Sequence, residues 1–208
     1  MKILFHCFVS FLLLGQACTS ADTTTTSKTS EIDSKRETTS PQFKEDSLSI
    51  AYTYWWPASG PFIGMCGDQY SLVVTGTITA LAAKQPQENF VAQRGTITLH
   101  EKIWSQATAQ QKYQGEKFMV ADAFAKTGVE LGDKVLVFIY AYEGVYALPG
   151  GKSILKIEQF DGPEVQAIRK YIAAEQNPLV LQNDLELWAK YQLDEALQTI
   201  IDCRLSQE

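Results

Sequence analysis

Tyr70-Ser71-Leu72-Val73-Val74-Thr75-Gly76-Thr77-Ile78-Thr79-Ala80-Leu81 is the stretch whose reading decides the fold. Tyr70, Leu72, Val74, Ile78 and Ala80 fall on one face, with Ser71, Thr75, Thr77 and Thr79 on the other. A period of two, rich in β-branched residues, means a half-buried strand. Gly76 sits in its middle on the apolar face. That weakens a flat strand but suits a sharply coiled one that serves two sheet layers.

Downstream, Pro86 to Asn89 marks a turn, and Gly95 to Trp104 reads as a second strand. Its inward residues are Ile97, Leu99 and Ile103; Thr96, Thr98, His100 and Lys102 point outward. Ser105 to Gly115 is a polar connection, and Glu116 to Asp122 a short third strand. After the Gly132-Asp133 turn, Lys134 to Glu143 is apolar on both faces, as in a strand that is central or covered by a helix. Gly144 to Gly151 is expected to be a loop and Ser153 to Gln159 the fifth strand.

The period then changes. Asp161-Gly162-Pro163-Glu164 is a helix start, with proline tolerated in the first turn and acids favoured there. Val165, Ile168, Tyr171 and Ile172 form its apolar stripe, and Asn177-Pro178 breaks it. Asn183 with Glu186 resembles a capping box, and Leu185, Trp188, Leu193, Leu197 and Ile200 stripe a second helix to about Cys203. The expected fold class is mainly β with C-terminal helices (α+β). A five-stranded OB-like barrel over about 66–160 precedes two helices over about 163–175 and 184–203. A strongly bent, open antiparallel sheet with helices on one face is the alternative.

Upstream, Lys2 precedes an apolar run from Ile3 to Leu14, broken only by His6 and Ser10. A run of about twelve residues is too short to span a bilayer and fits a signal-peptide core. Gly15 and Ala17 supply small side chains before Cys18. The segment resembles a bacterial lipobox, with Gly15 where the usual leucine would stand. That resemblance implies removal of 1–17, lipidation of Cys18 and a membrane partner through the N-terminal lipid. Plain secretion with the same cleavage is the alternative. Residues 18–47 hold Thr23 to Thr26 and are otherwise dominated by Ser, Thr, Lys, Glu and Asp. Such a segment buries too little surface to offset about 1–2 kcal/mol per residue of ordering, so a disordered stalk is expected. Residues 48–208 then form a single globular domain.

The 208-residue chain carries a formal charge of −6. Loss of Lys2 with the leader leaves 17 basic against 24 acidic residues, a net −7. That argues against nucleic acid, which needs clustered lysine and arginine. Of four cysteines, Cys7 leaves with the leader and Cys18 takes the lipid, so Cys66 and Cys203 remain as a candidate disulfide in an oxidising compartment. Two buried free thiols are the alternative. His100 is the sole histidine after the leader, so no histidine cluster exists for zinc. No Gly-x-Ser-x-Gly elbow or phosphate loop is present. No metal site and no cofactor are expected.

Tyr52, Tyr54, Trp55 and Trp56 are the candidate partner-binding residues, because such rings combine apolar area with a polar tip. Alternation puts Tyr52, Tyr54 and Trp56 on one side and Trp55 on the other. The competing role is to plug the open end of the barrel.

Cys66, the Tyr70–Ile78 stretch, Gly95-Thr96-Ile97-Thr98-Leu99 to Ile103-Trp104, and Gly132-Asp133-Lys134-Val135-Leu136-Val137-Phe138 occur in an order that resembles the netrin-like domains of tissue inhibitors of metalloproteinases and their bacterial relatives. The resemblance implies an OB-like barrel over about 66–160. It does not imply inhibition: the family chelates zinc with an N-terminal cysteine, whereas Cys66 is internal and an acylated Cys18 has no free amine. Expected function is therefore a non-enzymatic, surface or periplasm-facing lipoprotein of the bacterial cell envelope that binds a protein or glycan. A carboxylate-dependent envelope hydrolase and a purely structural envelope component are the alternatives.

Overall fold

The computed structural model describes residues 46–56, 58–106 and 112–208. The expected leader, Cys18 and all but the last two stalk residues lie outside the described residues. In chain order the strands are β1 (Ser47–Ser49), β2 (Ala51–Tyr52), β3 (Leu72–Leu81), β4 (Gln85–Pro86), β5 (Val91–Ala92), β6 (Gly95–Ser105), β7 (Phe118–Ala121), β8 (Lys134–Tyr142), β9 (Val145–Leu148) and β10 (Ile154–Ile157). The helices are α1 (Pro163–Ala173), α2 (Leu185–Ala189) and α3 (Asp194–Leu205). None of them is long and apolar enough to cross a membrane.

The main sheet runs β1-β7-β6-β3-β8-β9-β2, with β10 added to β8. Its two ends, β1 and β2, are consecutive stretches of one extended segment. That segment pairs parallel with β7 through Ser47–Ser49 and then parallel with β9 through Ala51–Tyr52, with the Ile50 amide donating to the Val120 carbonyl at the crossing (2.9 Å). The sheet is thereby curled into a nearly closed barrel, and the fold is mainly β with C-terminal helices. The expected α+β class holds; the expected five strands are too few. Residues 47–52, outside the 66–160 span, supply the closing strand. Gly144 to Gly151 is only partly loop, because β9 forms a hairpin with β8 there. The turn near Pro86–Asn89 is the tip of a small hairpin, β4–β5.

β3 sits at the centre, paired antiparallel with both β6 and β8. Its pairing with β6 shifts register between Val73 and Val74, Thr75 and Gly76, and Ile78 and Ala80. These irregularities bend the pair, as bulges do. A Cβ on Gly76 would press on Ile97 Cγ2 and lie 2.6 Å from the Thr98 carbonyl oxygen. Glycine is thus required for the close approach of β6, in keeping with a coiled strand.

Two buried clusters share the sheet. Inside the barrel are Leu48, Ile50, Leu72, Val74, Ile78, Ile97, Met119, Val135, Val137, Ile139, Tyr146 and Leu148, among others. On the outer face Tyr70, Val73, Leu136, Phe138 and Tyr140 meet Val165, Ile168, Tyr171, Trp188, Leu197 and Ile200 of the helices. β8 feeds both, which is why it is apolar on both faces. Each fully buried side chain of this kind contributes about 1.5–3 kcal/mol. The helical cover also explains why Ser71 and Thr75, expected to face water, are buried; Ala80, expected inward, is exposed near the end of β3.

The single second helix expected over 184–203 is two, α2 and α3. Trp188 and Leu193 lie five apart, which one continuous helix cannot keep on the same face. The break absorbs the mismatch: Gln192 adopts φ 57°, and the Leu193 amide donates to the Trp188 carbonyl (3.1 Å). Asn183 forms no capping box, since Asp184 precedes α2 and gives no side-chain cap. Asn177 caps the short turn Pro178–Leu181 instead, accepting from the Leu179 amide at 3.1 Å. Cys66 and Cys203 stand at disulfide distance, their Cα atoms 5.1 Å apart, so α3 is tied to the segment before β3.

Candidate functional site

The extended segment that closes the barrel ends at Thr53, whose amide and hydroxyl both donate to the Leu148 carbonyl (3.0 and 3.2 Å). A turn follows, closed by the Trp56 amide donating to the Thr53 carbonyl (3.3 Å). The turn ends the strand alternation expected for the four aromatic residues. Tyr52 is half-buried against the barrel cluster. Tyr54 and Trp55 point out, 39% and 55% exposed. Trp56 turns back onto the helix-side cluster. The four residues therefore divide between core and surface, and of the four only Tyr54 and Trp55 are exposed.

Those rings do not stand alone. Phe90, carried by the β4–β5 hairpin, stacks on Tyr54 with ring centres 4.2 Å apart and planes 18° from parallel. It also meets Tyr52 edge-on at 5.8 Å. Trp55 makes edge contacts with Tyr54 at 5.1 Å and Tyr142 at 6.1 Å. The hairpin and the closing segment thus face each other across a cleft of about 520 Å³. Tyr52, Tyr54 and Phe90 supply its rings, and Gln85, Gln87, Arg94 and Asp122 its polar groups. The size lies within the usual range for small-molecule sites.

Arg94 and Asp122 are brought together by register. Gly95 pairs with Ala121 at the end of the β6–β7 ladder, so one residue further on each strand sets Arg94 opposite Asp122. Arg94 Nη1 lies 3.3 Å from Asp122 Oδ1, with the side chains 62% and 49% exposed. The backbone holds both: the Ala82 amide donates to the Arg94 carbonyl (2.8 Å), and the Gln93 amide to the Asp122 carbonyl (3.2 Å). The same two residues line a second cleft of about 660 Å³, with Ser49, Ile50, Ala51, Val120, Ala121, Val145 and Tyr146. It lies where the closing segment passes from β7 to β9.

Elsewhere the titratable groups read as structural. Glu164 is the one buried carboxylate among the described residues. Its Oε1 accepts from Lys190 Nζ and from the Tyr191 hydroxyl, the latter at 3.0 Å. Burial alone would raise its pKa, but the hydrogen bonds from Lys190, its own backbone amide and Tyr191 outweigh that and hold it below the ordinary value. Tyr191 is pushed up to about 12, by burial first and then by the Glu164 charge. A carboxyl kept ionised in this way is a poor proton donor. His100 is exposed and lies flat against Phe160, ring centres 4.0 Å apart. No group of three or more His, Cys, Asp or Glu among the described residues could hold a metal ion.

Phe90, Arg94 and Asp122 were not singled out by sequence reasoning. Phe90 carries a weak signal, a large ring beside the polar turn Gln85-Pro86-Gln87-Glu88-Asn89. The Arg94–Asp122 pairing carries none. No protein-family model matches the sequence, and no curated protein matches it.

Proposed function

We propose that this is a lipid-anchored protein of the bacterial cell envelope, tethered through Cys18 and spaced by residues 18–47, whose barrel domain binds a glycan without transforming it. The observation that carries the binding reading is the cleft in which the stacked Tyr54 and Phe90 rings lie beside the Arg94–Asp122 pair. A pyranose presents a face of C–H bonds and a rim of hydroxyls. Aromatic faces suit the first, and planar side chains that donate (Arg94), accept (Asp122) or do both (Gln85, Gln87) suit the second. Binding rather than hydrolysis is favoured because Asp122 is the single carboxylate among the described residues lining either cleft, whereas glycoside cleavage uses two.

The anchor reading is supported by the sequence at Lys2, Ile3 to Leu14 and Cys18, and by the candidate bridge between Cys66 and Cys203, which suits an oxidising compartment. An OB-type barrel of the netrin-like kind is supported by a long central strand, β3, shared between β6 and β8. The test is a glycan-array screen of the full chain with Tyr54→Ala, Trp55→Ala and Phe90→Ala variants, together with mass measurement of the mature N-terminus. The expected results are glycan binding that Tyr54→Ala and Phe90→Ala abolish without loss of thermal stability, and an acylated Cys18. Variants that all bind as the parent does, or a chain still beginning at Met1, would refute the respective half.

A further inference from the structure

The two clefts meet at one wall. Arg94 and Asp122 are the residues they have in common, and they are also the only charged residues among the described lining of either. The pair touches through a single nitrogen–oxygen contact of 3.3 Å, with both side chains about half exposed. Most guanidinium donors and the second carboxylate oxygen therefore remain available to a ligand. Because the two charges cancel, the wall offers strong donors and acceptors side by side without a net charge. An anionic or cationic ligand group would have to compete with the existing pair. A neutral group that both donates and accepts, such as a pair of neighbouring hydroxyls, can bridge it and leave it intact.

On either side the two clefts differ in chemistry. The first has the rings of Tyr52, Tyr54 and Phe90. The second is floored by small or aliphatic residues, Ser49, Ala51, Ala121 and Val145, at the crossing of the closing segment. Its polar partners are chiefly backbone groups and the shared pair. The first cleft thus suits a stacked sugar ring, and the second an unstacked neighbour in the same chain of sugars. Volumes of about 520 and 660 Å³ each exceed that of a single hexose.

We infer that the two clefts are adjoining subsites of one site for a neutral oligosaccharide of two or more units, and that Arg94 and Asp122 read the hydroxyls at the junction. This rests on the glycan reading above and adds ligand length, ligand charge and the residues that set both. A cleft that took one isolated sugar would need only the aromatic side.

The test is calorimetric titration of the full chain, kept in a sugar-free detergent. The probes are neutral cello-, malto- and chito-oligosaccharides of one to six units, with oligogalacturonates as the anionic series. The expected result is that one neutral series binds, and that its affinity rises about tenfold or more between one unit and three or four. Ala51→Phe, which fills the second cleft from an exposed strand position, should remove that gain with length. Asp122→Asn should weaken binding of the longer oligomers about tenfold. Binding that depends on Tyr54 but is flat with length, or is indifferent to Ala51→Phe and Asp122→Asn, overturns the two-subsite inference and leaves the aromatic glycan site standing. Preference for the anionic series overturns the neutral assignment in the same way. If neither series binds with sensitivity to Tyr54→Ala, both readings fall.

Discussion

Replacing Gly76 with alanine tests the central crossing of the fold. The added Cβ would lie 2.6 Å from the Thr98 carbonyl oxygen and press on Ile97 Cγ2. Moving Ile97 Cγ2 requires turning a buried, β-branched side chain about χ1, and the Thr98 carbonyl cannot move without disturbing the β3–β6 ladder. Overpacking of this kind costs about 1–3 kcal/mol. Gly76 is not in a positive-φ conformation, so restricting the unfolded chain returns about 0.4–1 kcal/mol. The net loss is about 1–2 kcal/mol, or a fall in melting temperature of about 2–8 °C for a domain of this size. Gly151→Ala is the control, because a Cβ there meets nothing closer than 3.4 Å and φ is not positive. It should stay within about 0.5 kcal/mol of the parent. Urea denaturation followed by tryptophan fluorescence measures both. If Gly76→Ala is as stable as Gly151→Ala, the close crossing is not a feature of the protein.

The Cys66→Ser, Cys203→Ser double variant should lose up to about 5 kcal/mol, since the bridge closes a loop with a sequence separation of 137; an unchanged urea midpoint would show that no bridge forms. Trp55→Ala, at a largely exposed position, should change stability by less than about 0.5 kcal/mol. Trp56→Ala, which removes a ring packed on the helix-side core, should cost about 1–3 kcal/mol; equal effects would contradict the turn at Thr53–Trp56. Glu164 has a lowered pKa, so its contribution is complete above the unfolded value near 4.3 and is lost as pH falls through the folded one. Glu164→Gln should therefore reduce stability at neutral pH and flatten the acid limb of the stability profile. Tyr191, raised to about 12, stabilises up to pH ~10 and loses that contribution as pH rises toward the folded value. Tyr191→Phe should remove this alkaline decline, and a decline of unchanged depth would assign it to other groups.

The parts of the fold legible in sequence were those where periodicity and burial agree. β3, β6, β7, β8 and β10 lie in the stretches expected from alternation, and α1 begins at Pro163 as its start signal indicates. The misses have identifiable causes. Leu48, Ile50 and Tyr52 do alternate with Ser47, Ser49 and Ala51, so the strand signal was present in the closing segment. Its exchange of partners from β7 to β9 is a tertiary fact with no local trace. β9 is four residues long within a stretch framed by glycines and Pro149, where turn residues outweigh a short strand. The break between α2 and α3 could have been read, since the five-residue step from Trp188 to Leu193 violates helical spacing. Ser71 and Thr75 mislead because their face is covered by helices that arrive about a hundred residues later.

The candidate site was only half legible, and its missing half follows from register. Tyr54 and Trp55 are visible as rings in any reading. Phe90, Arg94 and Asp122 lie in two further segments that meet the closing strand only after the barrel forms. Arg94 and Asp122 stand opposite each other because the β6–β7 ladder ends at Gly95 and Ala121; a slip of one residue between the strands would separate them and leave their side chains on opposite faces. Gly95 itself leaves no room for a side chain, as a Cβ there would come within 2.6 Å of Phe124. Gly95 therefore lets the strand pass close beneath Phe124 and helps pin the register that aligns the pair. In the proposed glycan site, specificity would thus depend on residues that touch no ligand: the Gly95–Phe124 contact helps set the ladder, the ladder sets Arg94 against Asp122, and the pair forms the wall common to both clefts.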